Sequence, residues 1–209
     1  MKLYSFLWGV VFVLVVSFLS NVFPFFGASY TLLAALQLSL LGTTPYHFAV
    51  IVLVSGVGAT LAKAIIYFGG FGFRGVLLRN KNVKLIERYS ATGGFFMALF
   101  LAALLPLFPF DDFIFIGAGA ALASLGAMLL VTLAAKIIKS TVEVAIELAI
   151  LKEVASVFNF QRLDVTLALT AVFLIIGVIV YKVDWEDIYR RVTRRPLPTV
   201  PGFMGTRAV

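Results

Sequence analysis

The apolar sequence of this chain is broken at residues 105–112 by LPLFPFDD, a run that holds two prolines and two aspartates. Proline removes a backbone donor and clashes with the preceding turn, so an uninterrupted helix cannot pass through this run. Backbone that leaves the helix at membrane depth is tolerated only where protein or water surrounds it. The run therefore predicts a re-entrant element over about residues 93–123. Four residues shape this element, two at its break and two that allow close packing of its second arm: Pro106, Pro109, Gly117 and Gly119.

A second break of the same kind lies earlier in the chain, at Asn21, Pro24 and Gly27. The apolar pattern then resumes only from 28 to 41, which is short of the roughly 20 residues that cross a bilayer. A re-entrant element over about residues 21–42 is therefore predicted. The run VFPFF at 22–26 in this element resembles the run LFPFD at 107–111 in the later one. Because the predicted topology makes the two elements enter from opposite sides, we expect an inverted repeat.

Composition places the chain in a membrane. Of its 209 residues, 62% are hydrophobic and 13% are charged, and no Asp, Glu, Lys or Arg lies between Leu3 and Ala62. A soluble domain is typically about 45–50% apolar and about 25% charged. The continuous apolar runs also exclude a transmembrane β-barrel, whose strands alternate in polarity. The predicted fold class is an all-α polytopic membrane protein with about four transmembrane helices and two opposed re-entrant hairpins.

The membrane domain is expected to cover residues 1–181, followed by a basic tail at 182–209. The expected spans are, in order, 3–20, 46–73, 126–151 and 165–181. The basic loop 74–88 and the arginines of the tail mark the cytoplasmic side by the positive-inside rule. Both termini of this multi-pass protein are therefore expected in the cytoplasm, beneath the plasma membrane. The net charge of +7 follows from this topology and does not indicate nucleic-acid binding.

Familiar catalytic and metal-binding patterns are missing from the sequence. There is no cysteine and a single histidine, His47, so the sequence predicts neither a thiol nucleophile nor a Cys- or His-based metal site. No phosphate-binding loop, nucleotide fingerprint, HExxH or GxSxG motif occurs. We expect no enzymatic activity and no cofactor.

Three charged residues stand in apolar surroundings near the expected midplane. Asp111 and Asp112 lie beside the second break, where a carboxylate is costly and its usual explanation is functional. Because adjacent residues point to different sides, only one of them is expected to face a cavity. Lys63 lies inside the second span and is expected to pair with one of the aspartates or to bind a lipid phosphate. The alternatives are that an aspartate caps the following arm and that Lys63 snorkels to the interface.

The third span carries four charged residues at spacings of three and four, which place them on one helical face: Lys136, Lys139, Glu143 and Glu147. This stripe is neutral overall, which suits an internal, water-lined face. The alternative is that the helix has partly left the membrane and shows this face to solvent.

The order and spacing of these features resemble the DedA family, also called SNARE-associated or VTT-domain proteins, over about residues 20–150. The resemblance is carried by Asn21 with Pro24, GVGA at 56–59, YFGGFG at 67–72, GGFF at 93–96, PLFPFDD at 106–112 and GAG at 117–119. It implies two opposed re-entrant hairpins and a role in moving lipids between leaflets, with proton coupling in some members.

This chain departs from the family's usual pattern at three places. The first hairpin has no acidic residue, Lys63 stands where an acid is common, and Ala103 stands where an arginine is common. The departures weaken the expectation of proton coupling more than that of lipid handling, since Lys63 can supply the positive charge that Ala103 lacks.

The expected function is that of a lipid translocase, of the scramblase or flippase kind. A phospholipid or polyprenyl-phosphate headgroup would cross a polar cleft between the hairpins, with Lys63 holding the phosphate and Asp111 or Asp112 gating or exchanging protons. Membrane lipids, including anionic ones, are the expected partners. Two alternatives stay open: a proton- or ion-coupled transporter of a small solute, and a membrane scaffold that transports nothing.

Overall fold

A computed structural model describes residues 2–22, 30–105 and 110–154, together with Ile175 and Lys182. All regular structure within the three described ranges is α-helical, in this order: α1 Lys2–Val22, α2 Tyr30–Leu41, α3 Pro45–Gly72, α4 Arg74–Leu77, α5 Lys81–Tyr89, α6 Gly93–Leu104, α7 Phe110–Ala121 and α8 Leu125–Val154. The helical fold class is thereby confirmed. Apart from Ile175 and Lys182, the expected fourth span and the basic tail lie outside the described residues.

Within the described ranges, three helical segments are long and apolar enough to cross a membrane: Tyr4–Val22, Pro45–Gly72 and Leu125–Ala149. They coincide with the first three expected spans. The beginning of α3 is fixed locally, because the Thr44 side chain accepts a hydrogen bond from the backbone N–H of His47 and Pro45 occupies the first turn. Both features are favoured at a helix N-terminus.

Three of the four helices that flank the two breaks are short. α2, α6 and α7 have 12 residues each, which corresponds to about 18 Å and falls short of a bilayer's hydrocarbon thickness. Pro24, Gly27, Pro106 and Pro109 lie outside the described residues. How far these elements dip into a bilayer is not decided by helix length, so the re-entrant hairpins stay a prediction.

Two boundaries differ from the sequence predictions. Asn21 does not break the first helix, because it lies inside α1 and its side-chain amide donates to the carbonyl of Ser17 at 2.9 Å. The second arm begins at Phe110 rather than near Phe113, so Asp111 and Asp112 belong to the first turn of α7. Carboxylates are favoured there because the helix N-terminus carries partial positive charge.

The basic segment 74–88 was predicted to be a loop, but most of it forms the helices α4 and α5. Within α5, Val83 is buried, and the helix packs against α7. The amphipathic spacing of Val83 and Ile86 explains the helix, since burial of one apolar face against a neighbour stabilises it. The side chain of Asn80 caps it by accepting from the backbone N–H of Asn82 at 2.8 Å.

The helix contacts follow one pattern in both halves of the described chain. α1 packs on α3 as α6 packs on α8, and each short helix that follows a break packs on the long helix of the other half, α2 on α8 and α7 on α3. This pattern relates α1–α3 to α6–α8. It is the arrangement that the predicted internal repeat would produce.

The apolar core is divided into two clusters that show the same correspondence. One cluster joins α6, α7, α3 and α8 around Phe115 and Met128, and the other joins α1, α2, α3 and α8 around Leu38 and Val144. Along α3, the cluster around Leu38 and Val144 comes before the cluster around Phe115 and Met128. Along α8, the order of the two clusters is reversed. The two long helices therefore run in opposite directions through the core.

The crossing of α3 and α7 depends on two glycines. A Cβ atom at Gly119 would overlap the carbonyl oxygen of Tyr67, and one at Gly70 would overlap the carbonyl oxygen of Ile116. Because the obstructing atoms belong to backbone, neither overlap can be relieved by a rotamer change. The hydroxyl of Tyr67 donates to the carbonyl of Ala123 at 2.7 Å and fixes the end of α7 against α3.

We predict that Gly119→Ala lowers the free energy of unfolding by about 1–3 kcal/mol or more, as overpacking does in a tight core. Gly69→Ala is the matched control, because a Cβ there meets no atom within 4 Å, and alanine in a helix is favoured over glycine by about 0.5–1 kcal/mol. Thermal unfolding in detergent, followed by size-exclusion chromatography, compares the two. Equal stability of both variants would contradict the close crossing.

Candidate polar site between α3, α7 and α8

Four charged side chains from three helices meet inside the protein. The Nζ atom of Lys63 lies 3.2 Å from Oδ2 of Asp111 and also pairs with Oδ1 of Asp112. From α8, the Nζ atom of Lys136 lies 2.8 Å from the same Oδ2 of Asp111. We call Lys63, Asp111, Asp112 and Lys136 the buried charge cluster. Within it, the Asp111 carboxylate is shared by two lysines from the two long helices.

Burial makes this pairing essential. The four residues are between 2% and 5% exposed, and their formal charges cancel. An uncompensated ion taken out of water costs several kcal/mol even after the protein relaxes, and the same restriction applies to ionisable groups inside a membrane. The four groups therefore occupy these positions as a set, since removal of one leaves a buried charge without full compensation.

The cluster lies between the two apolar clusters along both long helices. Lys63 is flanked on α3 by Val52 of one cluster and Ile66 of the other, and Lys136 is flanked on α8 by Met128 and Val144. This places the charges near the middle of two helices that are long enough to span a bilayer.

The first turn of α2 reaches the same face of α8. The hydroxyl of Tyr30 lies 3.4 Å from Oγ of Ser140, and the hydroxyl of Thr31 donates to the carboxylate of Glu147 at 3.0 Å. Tyr30 is buried at this contact. Both short helices that follow a break thus direct polar side chains of their first turn towards α8.

The predicted stripe on α8 is divided among three neighbours. Lys136 belongs to the buried charge cluster, and Glu147 contacts Thr31 of α2. Lys139 lies 3.8 Å from Glu143, with side chains that are 13% and 24% exposed, and it also donates to the Leu105 carbonyl at the end of α6 at 3.3 Å. Lys139 and Glu143 therefore form the partly exposed edge of the site.

One expectation about the charged residues is wrong, and one alternative is excluded. Both aspartates, and not one, face the site, because the long Lys63 side chain approaches the first turn of α7 where neighbouring carboxylates can be reached together. Lys63 does not snorkel to an interface, since it is 2% exposed. Its pairing with the aspartates is as predicted, and Lys136 is not on a solvated face.

Sequence reasoning did not identify Tyr30, Thr31 or Ser140. The only signal in the sequence was that Tyr30 and Thr31 come soon after the first break, as Asp111 and Asp112 come soon after the second. Uncharged hydroxyl residues carry little information in an apolar sequence until a partner is known. Among the described residues, no group of three or more His, Cys, Asp or Glu side chains is placed to hold a metal ion.

Comparisons with protein-family models, with curated proteins and with solved structures give no match. The resemblance to the DedA family stays a prediction from the residues quoted above.

We predict that Lys136→Met destabilises the protein by about 3–5 kcal/mol, the cost of breaking a buried ion pair by removing one partner. Lys139→Met is the matched control on the same helix. Its pair with Glu143 is longer and partly exposed, so the expected loss is about 1 kcal/mol or less.

The double variant Lys136→Met/Asp111→Asn tests whether the two residues act as a pair. Its loss of stability should be smaller than the sum of the two single losses by about 0.5–3 kcal/mol. Thermal unfolding in detergent gives all four values. Strict additivity, or an equal effect of Lys136→Met and Lys139→Met, would contradict the pairing.

Proposed function

We propose that this protein moves phosphate-bearing lipid headgroups between the two leaflets of a membrane. One observation carries the proposal: charged groups that compensate one another are buried inside two membrane-length helices, away from their ends, at the first turn of a short helix that follows a break. Discontinuous helices that bring polar groups to the membrane midplane are typical of transporters. Ionisable residues at such a depth are expensive and usually have a functional explanation.

The pairing chemistry favours a phosphate ligand. A lipid phosphate and a carboxylate are both anionic oxygen acceptors, so a phosphate can replace Asp111 or Asp112 as a partner of Lys63 or Lys136. The structure then represents a closed state of the site, in which the carboxylates are paired with the lysines that would bind the phosphate. Lys139 would meet the headgroup first, because it lies at the exposed edge of the site and its pair with Glu143 is long.

The finer topology belongs to this proposal. Two opposed re-entrant hairpins would form a headgroup path, as in the DedA family, while the acyl chains remain in lipid. The opposite directions of α3 and α8 and the matching contacts of the two halves support such an inverted repeat. A plasma-membrane location is part of the proposal, and the positive-inside rule would place both termini in the cytoplasm.

A leaflet-exchange assay tests the proposal. Liposomes with a fluorescent phospholipid in both leaflets are treated with dithionite, which bleaches only the outer leaflet. The protein should increase bleaching beyond half of the dye, and Asp111→Asn should slow this exchange at least about tenfold, corresponding to about 1.4 kcal/mol. Glu87→Gln is the matched control, because it neutralises a carboxylate on α5 and leaves the buried charge cluster intact. A polyprenyl phosphate requires the same assay with its own labelled lipid.

Bleaching no faster than in empty liposomes, for both lipid classes, would contradict lipid translocation. Equal slowing by Glu87→Gln would show that the effect of Asp111→Asn is not specific to the cluster.

The complete compensation of the four charges also favours a second candidate, a scaffold in which the cluster serves stability alone. The two roles predict different results below the unfolding temperature. If Asp111→Asn lowers the unfolding temperature while the exchange rate at a permissive temperature equals that of the original chain, the cluster is structural and the translocase proposal loses its site.

A further inference from the structure

Three basic residues lie along the outward face of α5. Lys81, Lys84 and Arg88 are spaced three and four apart, which brings them to one side of the helix, and all three are exposed. Val83 and Ile86 lie on the opposite side, where Val83 is buried and the Ile86 side chain lies against Gly117 of α7. The basic ridge, defined as Lys81, Lys84 and Arg88, therefore points away from the protein core.

Exposed apolar side chains precede this ridge in the chain, just beyond the end of a membrane-length helix. α3 ends at Gly72, and the following Phe73 and Val76 are 71% and 70% exposed. Large apolar residues that continue past a span while basic residues begin are typical of the membrane–water interface, where apolar side chains enter the acyl boundary and cations meet headgroups. This combination indicates that α4 and α5 lie at the headgroup level.

The charge of the segment selects the sign of the ligand. Residues 74–88 hold five basic residues and a single acidic one, Glu87. On α5, Glu87 lies three residues after Lys84 and borders the basic ridge, so the exposed side of the helix keeps an excess of positive charge. Clusters of Lys and Arg at a membrane surface bind anionic lipid headgroups, each basic residue contributing about fivefold in affinity.

We propose that the basic ridge of α5 is a binding site for anionic phospholipid headgroups, separate from the buried charge cluster. Phe73 and Val76 anchor the segment in the acyl boundary, and Lys81, Lys84 and Arg88 contact the phosphates. The site depends on a membrane location but not on lipid transport. If the lipid-binding test below gives a negative result, the proposed function is unaffected. If the leaflet-exchange assay gives a negative result, the proposal of this binding site is unaffected.

Native mass spectrometry of the full chain in detergent tests the site. The protein is titrated with phosphatidylglycerol and, separately, with phosphatidylcholine, and bound lipids are counted. We expect tighter binding of phosphatidylglycerol that weakens with added salt. Lys84→Gln should lower the phosphatidylglycerol affinity about fivefold, and Lys81→Gln/Lys84→Gln/Arg88→Gln should lower it more than about tenfold, with phosphatidylcholine binding unchanged.

Two control variants make the result decisive. Lys81→Arg/Lys84→Arg keeps the charges and should keep the affinity. Arg190→Gln/Arg191→Gln/Arg194→Gln removes the same number of charges elsewhere in the chain. The proposal is overturned if the α5 variants bind phosphatidylglycerol as the original chain does, if both lipids are lost equally, or if only the variant at 190–194 loses the preference. Because the three ridge residues are exposed, the unfolding temperature of the α5 variants should equal that of the original chain. The single variant Lys84→Gln tests the site with the smallest change to the protein.

Discussion

The Asp111 carboxylate, shared by Lys63 and Lys136, is the interaction on which the rest of this structure depends. Two ammonium groups and two carboxylates can be buried together because their charges cancel and their contacts replace lost hydration. That requirement brings the first turn of α7 to the place where α3 and α8 pass each other. The glycines at the α3–α7 crossing serve the same end, since a close backbone approach lets Lys63 reach both carboxylates.

The two halves of the chain share a packing pattern but differ in chemistry. α2 meets α8 as α7 meets α3, and each apolar cluster joins two helices of one half to α3 and α8. The first turn of α7 carries two carboxylates, whereas the first turn of α2 carries Tyr30 and Thr31. The second half therefore brings both carboxylates, each half brings one lysine, and the first half also supplies neutral hydroxyl groups beside them. Such an asymmetric site within a symmetric frame is compatible with one-sided binding of an anionic headgroup.

Much of this arrangement could be predicted from the sequence, because burial of charge in an apolar chain has few solutions. The pairing of Lys63 with the aspartates followed from its distance to any interface, and the common face of Lys136, Lys139 and Glu143 followed from helical spacing. The sequence did not reveal that both aspartates face the site, because neighbouring residues of a first turn can be approached from the side by a long lysine. It also did not reveal α5, whose nine residues form a helix through packing against α7 rather than through intrinsic propensity.

The sharing of the Asp111 carboxylate by Lys63 and Lys136 can be measured in a bilayer. Solid-state NMR measures this most directly, on protein labelled with ¹⁵N in lysine and ¹³C in aspartate and reconstituted in phospholipid bilayers. We expect the Nζ signals of Lys63 and Lys136 both to show dipolar coupling to the carboxyl carbon of Asp111, and both couplings to vanish in Asp111→Asn. Lysine nitrogens that couple to lipid phosphorus or exchange with water, and not to Asp111, would contradict this expectation.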